Sequence, residues 1–275
     1  MNKLIIILGV ATMLAGCTVD QYFIEREYYR TLRQAQIVFK NPDATPPNEL
    51  QRVVGLLEGF SKKYTDNPMA VDAQFNIARL YLVKKEYSNA RARLAKTLTA
   101  YSKLENISSE AVFLTGNSYE MEDKWDSALE QYQKIYREYP TTLRGLDIPI
   151  YIIQHYKIKF QPDKMIDAAH QAITHYNALA DKYFGSPLAY RALVLAADCY
   201  AVPKEWENAV LAHKKIIEAY KDKTDVSGAF MSIAYIYKNE LKDDAKAKET
   251  LEQFIKEFPK SKIRKMADGL LKELK

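Results

Sequence analysis

The chain has 275 residues, 48% hydrophobic and 27% charged, a globular mixture that excludes disordered, collagen-like and disulfide-rich classes. Nine glycines and ten prolines stand against twenty tyrosines, and Ala, Leu, Lys and Glu abound, so the chain reads as helical and not as a sandwich or barrel. Forty basic and 35 acidic side chains leave a net charge of +5, too balanced for nucleic-acid binding, which needs a concentrated basic face.

The first element stands apart from the fold. Lys3 supplies a basic start, and Leu4 to Leu14 is an apolar run of eleven residues. A helix needs about 20 to cross a bilayer, so residues 1–16 read as a secretory signal. Its end, Leu14-Ala15-Gly16-Cys17, resembles the lipobox of bacterial lipoproteins. That resemblance implies cleavage before Cys17, which becomes residue one, and the joining of its thiol to diacylglycerol, with palmitate among the chains. Three acyl chains make attachment effectively permanent. Thr18 follows where such proteins often carry Asp when they stay in the inner membrane. By that analogy the protein is expected at the periplasmic face of the outer membrane, in the cell envelope. Cys199 then remains as the one other thiol, so no intrachain disulfide can form. It lies in the apolar run Leu193 to Tyr200 and reads as a core residue.

The remainder, 17–275, repeats itself. An aromatic residue stands three positions before an alanine in Tyr87–Ala90, Trp125–Ala128 and Trp206–Ala209, with Met165–Ala168 a weaker copy. From Val53 through Ala90, Ala128, Ala168 and Ala209 to Ala247 the steps are 37, 38, 40, 41 and 38 residues, periods that signify a solenoid. Nine residues before the alanine comes a tyrosine: Tyr81, Tyr119 and Tyr200. Tyr237 lies ten before Ala247, one residue inserted, and Tyr156 twelve before Ala168, which reads as a turn lengthened by three around Lys159–Asp163. Three residues before each tyrosine is something small (Ala78, Gly116, Ala197, Ala234), except Ile153. Units close on an aromatic, often with proline, as in Tyr139-Pro140 and Phe258-Pro259, with Tyr64-Thr65 a departure.

The spacing has a physical reading. The small residue and the tyrosine share one face of a first helix, and the small side chain lets a partner helix approach. The alanine and the residues four and seven later form the inward stripe of a second helix, which proline ends. Each pair leaves a flank that the next must cover.

This pattern resembles the tetratricopeptide repeat. The resemblance implies an all-α, right-handed solenoid of about six helix pairs, at about 22–64, 68–102, 108–140, 145–184, 187–221 and 226–259. A capping helix is expected over 261–274, with Ile263, Met266, Leu270 and Leu271 inward. The opening helix should bury Ile24, Tyr28, Leu32, Ala35 and Phe39. After the loop Asn41–Pro47, Asn48 and Gln51 suit a cap and its N3 partner. Asn67-Pro68 and Ser186-Pro187 suit a cap followed by the first turn.

Catalytic patterns are scarce. His155, His170, His175 and His213 have no Cys or His cluster beside them and read as surface or groove residues. No phosphate-binding loop, dinucleotide fingerprint, nucleophile elbow or zinc-protease motif occurs. An enzyme acting on cell-wall glycan would need two placed carboxylates, and no pair is marked. The expectation is therefore a binding protein with no catalytic residue, cofactor, metal or small-molecule substrate. In the tetratricopeptide family the concave side is lined from first helices, and the resemblance carries that role to Asp72, Phe75 and Arg79, to Glu110, Phe113 and Asn117, and to Arg191, Val194 and Asp198. Such a groove suits envelope proteins or extended peptide segments. The chaperone-tail version clamps a carboxylate with lysines and asparagines, and only Asn117 fits it. A lipobox followed by repeats ending Tyr-Pro or Phe-Pro is similar to the lipoprotein subunit of the β-barrel assembly machinery. A secretion or polysaccharide-export apparatus is the alternative setting. The polar linker usual in that subunit is missing, which places the array close to the membrane.

Overall fold

The computed structural model describes the backbone of residues 2–274 and the side chains of residues 20–274, and Cys17 with its lipobox lies outside those described side chains. Among the described residues every regular element is a helix and no strand occurs. None of these helices is long and apolar enough to cross a membrane. The chain divides into two compact units, Met1–Tyr139 and Pro140–Lys275. The first holds α1 (Asn2–Lys40), α2 (Pro47–Lys63), α3 (Pro68–Val83), α4 (Tyr87–Ala100), α5 (Glu105–Glu120) and α6 (Trp125–Glu138). The second holds α7 (Leu143–Ile158), α8 (Pro162–Lys182), α9 (Pro187–Cys199), α10 (Trp206–Tyr220), α11 (Ser227–Tyr235), α12 (Asp244–Glu257) and α13 (Arg264–Glu273). In each unit the main contacts join a helix to its chain neighbour, and α3 also touches α1 and α5. That is the nearest-neighbour packing of stacked hairpins.

One hydrogen bond closes each of the five hairpins after the first. The tyrosine of the repeat lies at or just beyond the end of the first helix, and its carbonyl accepts the N–H of the residue capping the second. Glu86 donates to Tyr81 at 2.8 Å, Lys124 to Tyr119 at 2.9 Å, Gln161 to Tyr156 at 2.9 Å and Glu205 to Tyr200 at 3.0 Å. The residue between is left-handed: Lys85, Asp123, Phe160 and Lys204 have φ of 60°, 59°, 54° and 61°. These are Schellman turns built without glycine. In the sixth hairpin Asp243 donates to Tyr237 at 2.8 Å, one residue further on, and Lys242 takes the left-handed place. The inserted residue is absorbed by a π-helical turn, Ile236–Glu240, so the turn itself is kept.

This geometry corrects the reading of the fourth pair. The step from Tyr156 to the start of α8 equals the step from Tyr81 to α4, from Tyr119 to α6 and from Tyr200 to α10. The turn is not lengthened. Instead α8 begins one turn earlier relative to Ala168, with Pro162 in its first turn, where proline's missing N–H has no partner to lose. Pro149 inside α7 removes the donor for a carbonyl one turn back. The buried Tyr176 hydroxyl donates to the neighbouring Leu146 carbonyl at 2.5 Å.

The small positions are packed as their spacing requires. Ala78, Ala197 and Ala234 are buried. Gly116 sits under the Tyr132 ring, where an added Cβ would lie 2.5 Å from Cε1 and 2.9 Å from Cδ1. Tyr132 cannot retreat: it is fully buried, its hydroxyl donates to Glu120 at 2.8 Å, and Phe113 and Trp125 pack on it. The closing aromatics are the C-caps of second helices, and Tyr101 and Tyr183 join Tyr64, Tyr139 and Phe258 in that place.

Asn67 and Ser186 cap α3 and α9 through their side chains. Asn48 does not cap α2. That helix starts at Pro47 with Pro46 before it, since the fixed φ of proline already suits a first turn. In α1, Tyr28 and Ala35 are buried, with Ile24, Leu32 and Phe39 packed on the same core. In the last helix Met266 points outward, 57% exposed, and Ala267 takes the buried place, while Ile263, Leu270 and Leu271 are half-buried.

Two glycines should respond oppositely to the same change. Gly116→Ala forces the Tyr132 ring to move and is expected to destabilise by about 1–2 kcal/mol despite alanine's better helix propensity. Gly59→Ala, exposed on α2 with nothing within 4 Å, is expected to stabilise by up to about 1 kcal/mol. Urea unfolding of both variants reads the contrast. Lys204→Gly relieves the left-handed turn and should raise stability by about 0.5 kcal/mol in the same assay.

Candidate functional site

The nine groove positions fall on three first helices, α3, α5 and α9, and the structure treats them differently. On α3, Asp72 is engaged: Tyr28 of α1 donates its hydroxyl to the carboxylate, and Asn76 Nδ2 donates to both, at 3.0 Å to Tyr28 Oη and 3.1 Å to Asp72 Oδ2. Burial, with the adjoining carboxylate, pushes the Tyr28 phenol far up, so it stays a neutral donor. Arg79 lies 3.7 Å from Asp72 and donates to Glu110 of α5 at 3.1 Å. These polar groups join neighbouring hairpins.

Phe75 is a correction. It is only 6% exposed and faces the core, with the Arg79 guanidinium over its ring at 5.8 Å to the centroid. A partner cannot reach it. Phe113 is half-buried against Tyr132, 5.9 Å between ring centroids, and Asn117 is half-buried on the same helix.

The α9 positions are open. Arg191 and Asp198 are exposed, Val194 between them is half-buried, and all three lie along one stripe of the helix. Neither charged group makes a hydrogen bond or ion pair with another described residue. Partial desolvation raises the Asp198 carboxyl, and Arg191 works the other way. Of the three sets this one retains a cation, an anion and an apolar contact for a partner.

Tyr28 and Asn76 went unread in the sequence as site residues. Asn76 carried a signal, a carboxamide in the otherwise apolar stripe of α3. Tyr28 read only as a core ring, and its hydroxyl carried none.

The histidines are dispersed. His170 Nε2 lies 2.9 Å from Glu205 at the surface. His213 departs from the surface placement expected of it: it is 5% exposed on α10, its Nδ1 meets no partner, and burial lowers its pKa to about 4. Cys199 is buried, and burial pushes its thiol up to about 12, which leaves it unreactive.

Stacked helical hairpins with no strand among the described residues define an all-α repeat protein. Residues 110–142 and 229–261 match the family model described as tetratricopeptide repeat. Comparison with curated proteins gives no significant match. Among solved structures the chain is similar to YrrB, a tetratricopeptide-repeat protein with an unusual peptide-binding site, at 18% identity over 78% of this chain and 99% of that one, TM-score 0.38. It is also similar to the C-terminal part of a tetratricopeptide-repeat-containing protein from Cytophaga hutchinsonii, at 17% identity over 82% and 79%, TM-score 0.43. A third is NprR in complex with its cognate peptide NprX, at 14% identity over 92% and 72%, TM-score 0.34.

His213 makes stability depend on pH. Its folded pKa is below the unfolded value of about 6.5, so the unfolded chain takes the proton first and stability falls as pH drops from there towards 4. The full loss is on the order of 3 kcal/mol. His213→Leu should flatten this limb of the urea midpoint against pH and change stability little at pH 7.

Proposed function

We propose that this protein is a lipid-anchored scaffold of the cell envelope, holding partner proteins at the periplasmic face of the outer membrane during outer-membrane protein assembly. A tetratricopeptide-repeat stack is suited to protein–protein interaction, because it offers a long surface without rearranging its core. The observation that carries the binding reading is the α9 stripe, where Arg191 and Asp198 stay unspent while their counterparts on α3 are committed to internal bonds. Exposed opposite charges around an apolar residue suit an extended peptide segment, with the charges setting register and Val194 giving contact area. The anchor reading rests on Leu14-Ala15-Gly16-Cys17 and the outer-membrane reading on Thr18.

Affinity capture of the full chain from a mild detergent extract tests this. Wild type should retain β-barrel assembly subunits, and R191E with D198K should lose most of them without a change in melting temperature, since both residues are exposed. Export or secretion proteins in their place would move the protein to another envelope machine. Equal capture by wild type and variant would remove α9 as the binding face.

A further inference from the structure

The first helix has two faces, and only one is used by the fold. At 100° per residue, Tyr22, Phe23, Arg26, Tyr29, Arg30, Arg33, Ile37 and Lys40 fall within an arc of about 120°. The opposite arc carries Ile24, Tyr28, Leu32, Ala35 and Phe39, which pack on the core. The outer arc is open: Tyr22 is 60% exposed, Phe23 55%, Tyr29 52% and Ile37 54%. It holds four cations and no acidic residue. The acids of this stretch lie outside the arc, and Glu27 is held by Lys63 and Tyr64 at 2.7 Å each. Arg26, Arg30 and Arg33 make no ion pair with other described residues. An open groove of about 740 Å³ runs along the flank between α1 and α2, lined by Phe23, Arg26, Arg30, Thr31, Gln34, Arg52 and Leu56 and by Glu27, whose carboxylate is already held by Lys63 and Tyr64.

We propose that this outer face of α1 lies on the surface of a bilayer containing anionic phospholipid. The charge is complementary: guanidinium groups pair with phosphate oxygens. The aromatic rings suit the headgroup layer, where an apolar body and a polar edge are both accommodated. The place in the chain is also right. Tyr22 follows Cys17 by five residues, at most about 17 Å of extended chain, and from Tyr22 to Lys40 the helix runs about 27 Å. An anchor at Cys17 therefore brings this face, before any other described surface, within reach of headgroups. The groove beside it gives a headgroup room between two helices. The inference rests on the anchor reading and adds what that reading lacks, a defined side of the protein set against the membrane.

The test uses the full chain with Tyr29 replaced by photoreactive benzoylphenylalanine, reconstituted in vesicles of phosphatidylcholine with or without phosphatidylglycerol. A second chain carries the probe at Leu104, exposed elsewhere in the same unit. Phospholipid adducts are expected at position 29, enriched several-fold by phosphatidylglycerol, with few at position 104. Each basic residue at an anionic surface is worth roughly a fivefold preference, so R26E/R30E/R33E should abolish the enrichment. These side chains are exposed and unpaired, and the variant should fold. Adducts equal at both positions, adducts indifferent to phosphatidylglycerol, or a protein crosslink at position 29 in place of lipid would overturn the proposal. The mass of the Cys17 peptide reads the anchor separately. An unmodified Cys17 with enrichment intact would leave the α1 surface standing and end the anchor reading.

Discussion

The backbone hydrogen bond that closes five of the hairpins sets the geometry of each of those helix pairs. A helix ends with carbonyls that its own turns cannot satisfy, and the next begins with N–H groups in the same condition. Here one bond serves both ends: the capping residue of the second helix donates to the carbonyl of the repeat tyrosine. The two axes are then joined by a turn of fixed length, and the small residue one turn before the tyrosine decides how closely they pack. Where one residue is inserted, a π-helical turn takes it up and the bond survives. Where three are added, the second helix grows and the bond again survives. Variation has been pushed into the helices because the turn cannot carry it.

Much of this was legible in the sequence, for a physical reason. A repeat presents the same packing problem several times, so Ala78, Gly116, Ala197 and Ala234 recur at the places where two helices meet. The fold class and the burial of Cys199 follow from those positions. The left-handed turn residue was not legible. Glycine would have announced it, but Lys85, Asp123, Phe160, Lys204 and Lys242 share neither charge nor size. What they share is a backbone conformation, and that leaves no mark in composition. Phe75 was misplaced because a family position says which side of a helix a residue is on and not how deep the neighbouring helix sits.

The polar network around Tyr28 divides structural polarity from available polarity. Tyr28, Asp72, Asn76, Arg79 and Glu110 resemble a binding cluster when read one at a time. Together they are satisfied by one another across α1, α3 and α5. A ligand would have to break those bonds before making its own, and a buried phenol or carboxamide left without a partner costs about 1–3 kcal/mol. Arg191 and Asp198 carry no such debt, which is why equivalent positions in the repeat are unequal as sites.

The same distinction applies to α1. Its inner arc is committed to the core and its outer arc to nothing in the fold, although both hold large apolar side chains. An exposed face of this kind is costly in water unless something covers it. Arginines interleaved with the rings keep it hydrated while free and give it a definite sign. A bilayer surface differs from a protein partner in asking for no register: rings and guanidinium groups need only lie on one side of a helix. That is the one regularity the outer arc has. Its residues follow the helix period without matching the recurring small residue or tyrosine that mark where paired helices meet.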